Sequence, residues 1–368
     1  MKKKKLGIAI SSLAIGTALL VNGCGEGKKG EENKQAKEQT AQGETGKQVE
    51  TKSKKVINGA GATFPYPVYS AWAYKYYQET GVKVNYQSIG SGGGIRQIKN
   101  RTVDFGASDA PLPPEKLDEY KLYQYPAIIG GVVPVVNIPN VNAGDLKLDG
   151  QSLCYIFLGK IQYWDNPKIK ELNPNLNLPH EKINVVHRSD GSGTTAIFTT
   201  YLSEVCPEWK EQVGAGKAVK WPVGIGGKGN EGVANYVKRG KYTIGYVEYA
   251  YAKQNRLSYT LLKNKAGNFV APSIETFKAA GATADFDPNK HFYLWMVNAP
   301  GDKAWPIAGA SFILLAREKT ETNKAVNSFF KWSFEHGDEI AEKLDYVPLP
   351  KELKEKIYKY WEKYNIAP

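Results

Sequence analysis

The segment Ile183-Asn184-Val185-Val186-His187-Arg188-Ser189-Asp190-Gly191-Ser192-Gly193-Thr194-Thr195, running on into Ala196-Ile197-Phe198-Thr199-Thr200-Tyr201-Leu202, reads as a short apolar strand, a turn of Gly and Ser, and a helix. Chains build anion sites in this way. The first turn of a helix leaves N–H groups unpaired, and the helix dipole adds partial positive charge at that end. Ser192 and Thr194 add hydroxyl donors, the glycines let an anion come close to the backbone, and Arg188 brings a permanent, forked cation. Taken alone, the same residues fit a capped helix with a surface Arg equally well.

Working outward, strand and helix patterns alternate along the chain. Val56-Ile57, Val84 to Ile89, Val103 to Ala107, Tyr242 to Val247 and Ser311 to Leu315 read as strands. Pro65 and Pro67 suit the first turn of a helix that places Val68, Trp72 and Tyr76 on its core face and ends at Gly81. Gly90-Ser91-Gly92-Gly93-Gly94 reads as a turn into a helix from Ile95 to Asn100. Asn323 to Phe334 reads as an amphipathic helix with Val326, Phe329, Phe330 and Trp332. The alternation predicts an α/β fold with mostly parallel sheets covered by helices. Ala127 to Val136 is a long apolar run with Gly130-Gly131 inside it, long enough to cross from one domain to another.

At 368 residues the chain is long enough for two domains, and its 23 Tyr and 8 Trp supply large core side chains. The formal charge of +12 favours anionic partners. No compact stripe of Arg interleaved with aromatics appears, so nucleic acid is not expected among them. Met1-Lys2-Lys3-Lys4-Lys5, the apolar Leu6 to Val21 and Asn22-Gly23-Cys24 have the layout of an export signal, too short for a stable membrane span. Val21-Asn22-Gly23-Cys24 resembles the lipobox of bacterial lipoproteins, which implies a signal peptide over 1–23 and a lipid on Cys24. Residues 24–55 are mostly Lys, Glu, Gln, Gly and Thr, with Val49 the only aliphatic beyond two alanines and no aromatic, a composition that predicts a disordered tether. Cys154 and Cys206 are the remaining cysteines; after export they could pair or stay as two buried thiols.

Three loops share one design. Thr63-Phe64, Ser91-Gly92-Gly93 and Ser192-Gly193-Thr194 each follow a strand and precede a helix, and such loops converge at the carboxyl ends of strands in open α/β sheets. Asp109, at the end of another strand, brings a carboxylate to the same place. A protonated oxyanion could donate its O–H to Asp109, whereas sulfate has no proton to offer, so the carboxylate would select by repulsion.

Gly59-Ala60-Gly61-Ala62-Thr63-Phe64-Pro65, Gly106-Ala107-Ser108-Asp109-Ala110-Pro111-Leu112 and Arg188 to Thr194 resemble the phosphate-binding proteins of bacterial phosphate ABC transporters. So do Trp221 to Asn230, Gly245 to Asn255 and the region Leu344 to Pro350. The resemblance covers nearly all of the chain beyond Asn58. It implies a two-lobed periplasmic-binding-protein-like fold, with crossover strands and a ligand cleft between the lobes. Lobe I would comprise 56–131 and 305–368, lobe II 132–304, with Gly130-Gly131 as hinge. It also implies phosphate ligands at Thr63, Phe64 (through its N–H), Ser91, Asp109, Arg188, Ser192, Gly193 and Thr194, with Asp190 steadying Arg188. The implied role is extracytoplasmic capture of inorganic phosphate for a membrane permease by a monomer that needs no cofactor. The sequence departs from many relatives at Gly92, where they carry a second Ser.

Other readings are a binding protein for a different oxyanion, or a surface adhesion or signalling protein on the same scaffold. An enzyme is not expected. Gly224-x-Gly226-x-x-Gly229 matches the dinucleotide fingerprint, but it follows Trp221-Pro222-Val223, a poor strand, and Gly224 to Gly232 reads as a loop. No Walker-type motif occurs, and neither Ser91 nor Ser192 lies in a Gly-x-Ser-x-Gly elbow. His180, His187, His291 and His336 are scattered without metal-ligand spacing.

Overall fold

The structure, a computed structural model, describes residues 54–368; the expected signal peptide, Cys24 and all but the last two residues of the expected tether lie outside them. The fold takes hold of the chain slightly before Val56. Lys54 Nζ donates to Asp104 Oδ1 at 2.6 Å, and the Lys55 carbonyl accepts from the Lys83 N–H.

The described residues contain thirteen strands: β1 (Val56–Gly61), β2 (Lys83–Ser88), β3 (Phe105–Ser108), β4 (Leu122–Asn137), β5 (Lys147–Leu148), β6 (Asn184–Arg188), β7 (Ile225–Gly227), β8 (Thr243–Glu248), β9 (Ser258–Tyr259), β10 (Leu261–Lys263), β11 (Phe269–Val270), β12 (Met296–Val297) and β13 (Ile307–Ala316). The main sheet runs β2-β1-β3-β13-β4-β8-β6-β7, with β12 beside β13 and β9 beside β4; β11-β10-β5 form a small second sheet. The strands that end at the expected site are parallel to their neighbours, β1 to β2 and β3, and β6 to β7 and β8. The sheet as a whole is mixed rather than mostly parallel. The returning strand β13 enters between β3 and β4 and runs against both, and β4 runs against β8.

The long apolar run is the single 16-residue strand β4, and it is the crossover. Leu122 to Gly131 pairs with β13, Val132 to Asn137 pairs with β8, and the exchange of partners falls between Gly131 and Val132. The strand is covered on both faces, which explains why it is continuously apolar instead of alternating. Phe277 packs directly on Gly131, leaving no room for a Cβ.

The helix Tyr66–Thr80 buries Val68, Trp72 and Tyr76 as their spacing predicts, and Gly81 closes it in the left-handed conformation (φ 73°). It packs on the late helix Thr320–His336, with Tyr69 against Phe330 and Tyr76 against Phe329 at ring separations of 5.7 and 5.2 Å. Trp72 Nε1 donates to the Gly337 carbonyl at 2.9 Å. The C-terminal part of the chain therefore packs back on the first helix.

Two further expectations differ from the structure. The glycine run at 90–94 is not a turn ahead of a helix: the helix spans Ser91–Lys99 and takes the glycines inside it. A Cβ on Gly94 would collide with backbone atoms of Gly61, Ala60 and Ala107, so the glycines let this helix press onto β1 and β3. The stretch from Gly224 to Gly232 is not a loop either. It forms β7 and opens the helix Gly229–Arg239, a further strand–turn–helix unit beside β6. Cys154 and Cys206 are joined in a disulfide.

Candidate functional site

Six strand ends converge. The chain leaves β1 at Gly61 and reaches Thr63-Phe64; it leaves β2 at Ser88 and reaches Ser91; Asp109 directly follows β3. From the other half, β6 ends at Arg188, β7 leads to Asn230 and β8 ends at Glu248. The structure brings Thr63, Phe64, Ser91, Asp109, Arg188, Ser192, Gly193 and Thr194 together in the cleft between the halves, and all are buried. The Gly92 N–H donates to the Gly191 carbonyl across the cleft at 2.9 Å. Gly193 lies so close to Ser91 and Asp109 that a Cβ would overlap both, and only glycine allows this approach.

Each of the four hydroxyls already accepts a hydrogen bond from an N–H. Thr63 Oγ1 accepts from Asn230 N (3.1 Å) and Asn230 Nδ2 (2.6 Å). Thr194 Oγ1 accepts from Asn230 Nδ2 (3.1 Å), Ser91 Oγ from the Asp109 N–H (3.1 Å) and Ser192 Oγ from the Thr195 N–H (2.9 Å). A hydroxyl that has accepted keeps its proton to give, so all four can still serve as donors.

Backbone donors add to them. Ser192 caps the helix Gly193–Val205, whose first N–H groups, on Gly193 and Thr194, have no acceptor within the helix. The Thr63 carbonyl is engaged by the Tyr251 hydroxyl (2.5 Å) and the Tyr66 N–H. In a planar trans peptide the next N–H points the opposite way, so the Phe64 N–H points away from those partners.

Arg188 and Asp109 are the charged pair facing this set, 4 % and 2 % exposed. Arg188 donates from Nε and Nη2 to the two oxygens of Asp190, each at 2.7 Å. Burial works against the Asp190 carboxylate, but these bonds and one from the Gly229 N–H outweigh it and hold its pKa below the ordinary value. The fork leaves Nη1 over. Arg188 Nη1 and Asp109 Oδ1 are among the buried polar atoms of the described residues that have no protein partner. Burial pushes the Asp109 carboxyl up to about 7, while Ser311, Arg188 and Ser91 pull the other way. Glu248 is driven well above the carboxylate range by burial, against the bond it accepts from the Ala250 N–H. Asp190 cancels much of the Arg188 charge, and burial disfavours the charged form of Glu248, so the cleft relies on donors more than on net charge.

Asn230, Glu248, Tyr251 and Ser311 were not among the residues expected at the site. The signal for Asn230 is the Gly-rich turn Gly226-Gly227-Lys228-Gly229-Asn230 after Ile225, but Pro222 and Lys228 disguise the strand–turn–helix unit.

A family model described as the PBP superfamily domain matches residues 35–336. The phosphate-binding protein PstS of Pasteurella multocida is 58% identical over 313 residues, 84% of this chain and 91% of the relative. That of Haemophilus influenzae is 55% identical over 307 residues, 83% of this chain and 92% of the relative. Among solved structures, the phosphate-binding protein PfluDING, bound with phosphate, has a TM-score of 0.67 at 22% identity and covers 82% of this chain and 93% of its own. The phosphate-binding protein of Stenotrophomonas maltophilia has a TM-score of 0.60 at 17% identity, covering 82% and 92%. The structures establish the class: a two-lobed α/β binding-protein fold with a crossover strand and an interlobe cleft. With its close sequence relatives, the chain belongs to the PstS family within the PBP superfamily.

Proposed function

We propose that this chain captures inorganic phosphate outside the cytoplasm and delivers it to the permease of a phosphate ABC transporter, as a binding protein without catalytic activity. The observation that carries the reading is the polarity of the cleft: four hydroxyls set to donate, and one buried carboxylate oxygen, Asp109 Oδ1, set to accept. An oxyanion with most oxygens bare and one protonated matches that pattern. Thr63, Ser91, Ser192 and Thr194 bind it through hydroxyls, Phe64, Gly193 and Thr194 through N–H groups, and Arg188 through Nη1; Asp190 holds the guanidinium in place. Asp109 accepts the proton of the anion, and an anion with no proton meets an uncompensated carboxylate.

In the same reading, lobe I is 56–131 with 305–368 and lobe II is 132–304. The change of partners along β4 at Gly131 and Val132 supports that division. No helix among the described residues is long and apolar enough to cross a membrane. Removal of 1–23, a lipid on Cys24 and the tether at 24–55 would hold a monomer at the membrane, as the leader's residue pattern suggests. Equilibrium dialysis with labelled phosphate, together with phosphate uptake by a strain lacking the gene, tests the proposal. Micromolar or tighter binding and an uptake defect at low phosphate are expected; normal uptake without the protein would count against it.

A further inference from the structure

We infer that Asn230 is a positioning residue, which forces the hydroxyls of Thr63 and Thr194 to be proton donors toward the bound anion; this rests on the phosphate-binding reading above. Every polar atom of its side chain is committed. Oδ1 accepts from the Glu248 N–H at 2.8 Å, and a backbone N–H can only donate, so the orientation of the amide is fixed. The NH2 group must then face the threonines. One hydrogen goes to Thr63 Oγ1 at 2.6 Å and the other to Thr194 Oγ1 at 3.1 Å.

The consequence for the threonines follows from counting lone pairs. Thr63 Oγ1 takes a second bond from the Asn230 N–H at 3.1 Å, which fills both of its lone pairs. Its proton therefore has to be given elsewhere, and the residue is buried. Thr194 Oγ1, also buried, is turned the same way by the other hydrogen. One amide thus orients one hydroxyl from each half of the chain. Donors fixed in this way need no reorientation when the anion arrives. They also sharpen selection at Asp109, because hydroxyls that cannot accept leave the carboxylate as the place for the anion's proton.

A double-mutant cycle in phosphate affinity tests this, with Asn230→Ala, Thr194→Val and the pair, read by calorimetry and with ligand-free melting as a control for folding. Asn230→Ala is expected to weaken phosphate binding at least about tenfold. In the pair, the loss should fall short of the product of the single losses, because one of the two hydroxyls that Asn230 orients is gone. A residue that merely supports the structure would give the product. If Asn230→Ala does not fold, the cycle is run with Asn230→Asp, which keeps the shape but turns the NH2 into an acceptor. Wild-type affinity in the Asn230 variants, or multiplicative losses, overturns the inference and leaves phosphate binding standing. A wild-type protein that does not bind phosphate overturns both.

Discussion

At the scale of single residues, Asp109 carries a cost in stability and, in the proposed site, the discrimination between anions. Its carboxyl titrates near 3.8 when exposed and is pushed up to about 7 by burial in the fold. Between those pH values the folded chain keeps a proton that the unfolded chain has lost, so ligand-free stability falls as pH rises from about 4 to about 7. Above that range the burden is complete, on the order of 4 kcal/mol. Asp109→Asn removes it, and the ligand-free variant is expected to melt higher than wild type at pH 8 but alike at pH 4, as differential scanning calorimetry would show. The same substitution should tighten sulfate binding at pH 8 about tenfold or more, because an amide can donate where the carboxylate repels. Unchanged discrimination would move selectivity to another residue.

At the scale of elements, the helix Gly193–Val205 carries the site at its first turn and is tied at its far end, where Cys206 bonds to Cys154 on the helix Gly150–Phe157. The bridge closes a loop across a sequence separation of 52, and in the chain-entropy account this is worth roughly 4 kcal/mol. Replacing both cysteines by Ala should lower the melting temperature while changing phosphate affinity by less than about threefold, since Ser192 to Thr194 sit at the opposite end. A large loss of affinity at an unchanged melting temperature would show that the bridge shapes the site itself. The same helix illustrates what could be read in advance. Strand–turn–helix units with ordinary signals, such as β6 into Gly193–Val205, were legible because apolar runs and a Ser cap mark them locally. The helix at Ser91–Lys99 was placed too late, because glycine is locally a breaker and only the close approach to β1 and β3 requires it there. β7 was missed for a related reason: three residues held by pairing with β6 carry little pattern of their own. Whether the cysteines pair was open in the sequence because it depends on tertiary distance alone.

At the scale of the molecule, the two halves share β4 and meet across the cleft through a small set of polar bonds. Gly92 donates to Gly191, Asn230 and Tyr251 to Thr63, and Ser88 to Glu231. The alternation of strands and helices made the α/β class legible, and the long apolar run made the crossover legible. The mixed order of the sheet was not, because the place of β13 between β3 and β4 is decided by a segment some 200 residues downstream of β3. The central claim is that a cleft of fixed donors with one carboxylate acceptor selects a protonated oxyanion. Titration calorimetry of the wild-type protein at pH 8, with phosphate and with sulfate, tests it most directly. Saturable phosphate binding at micromolar or lower concentration, and no sulfate binding at a concentration about a thousandfold higher, are expected. Sulfate binding of equal strength would contradict it.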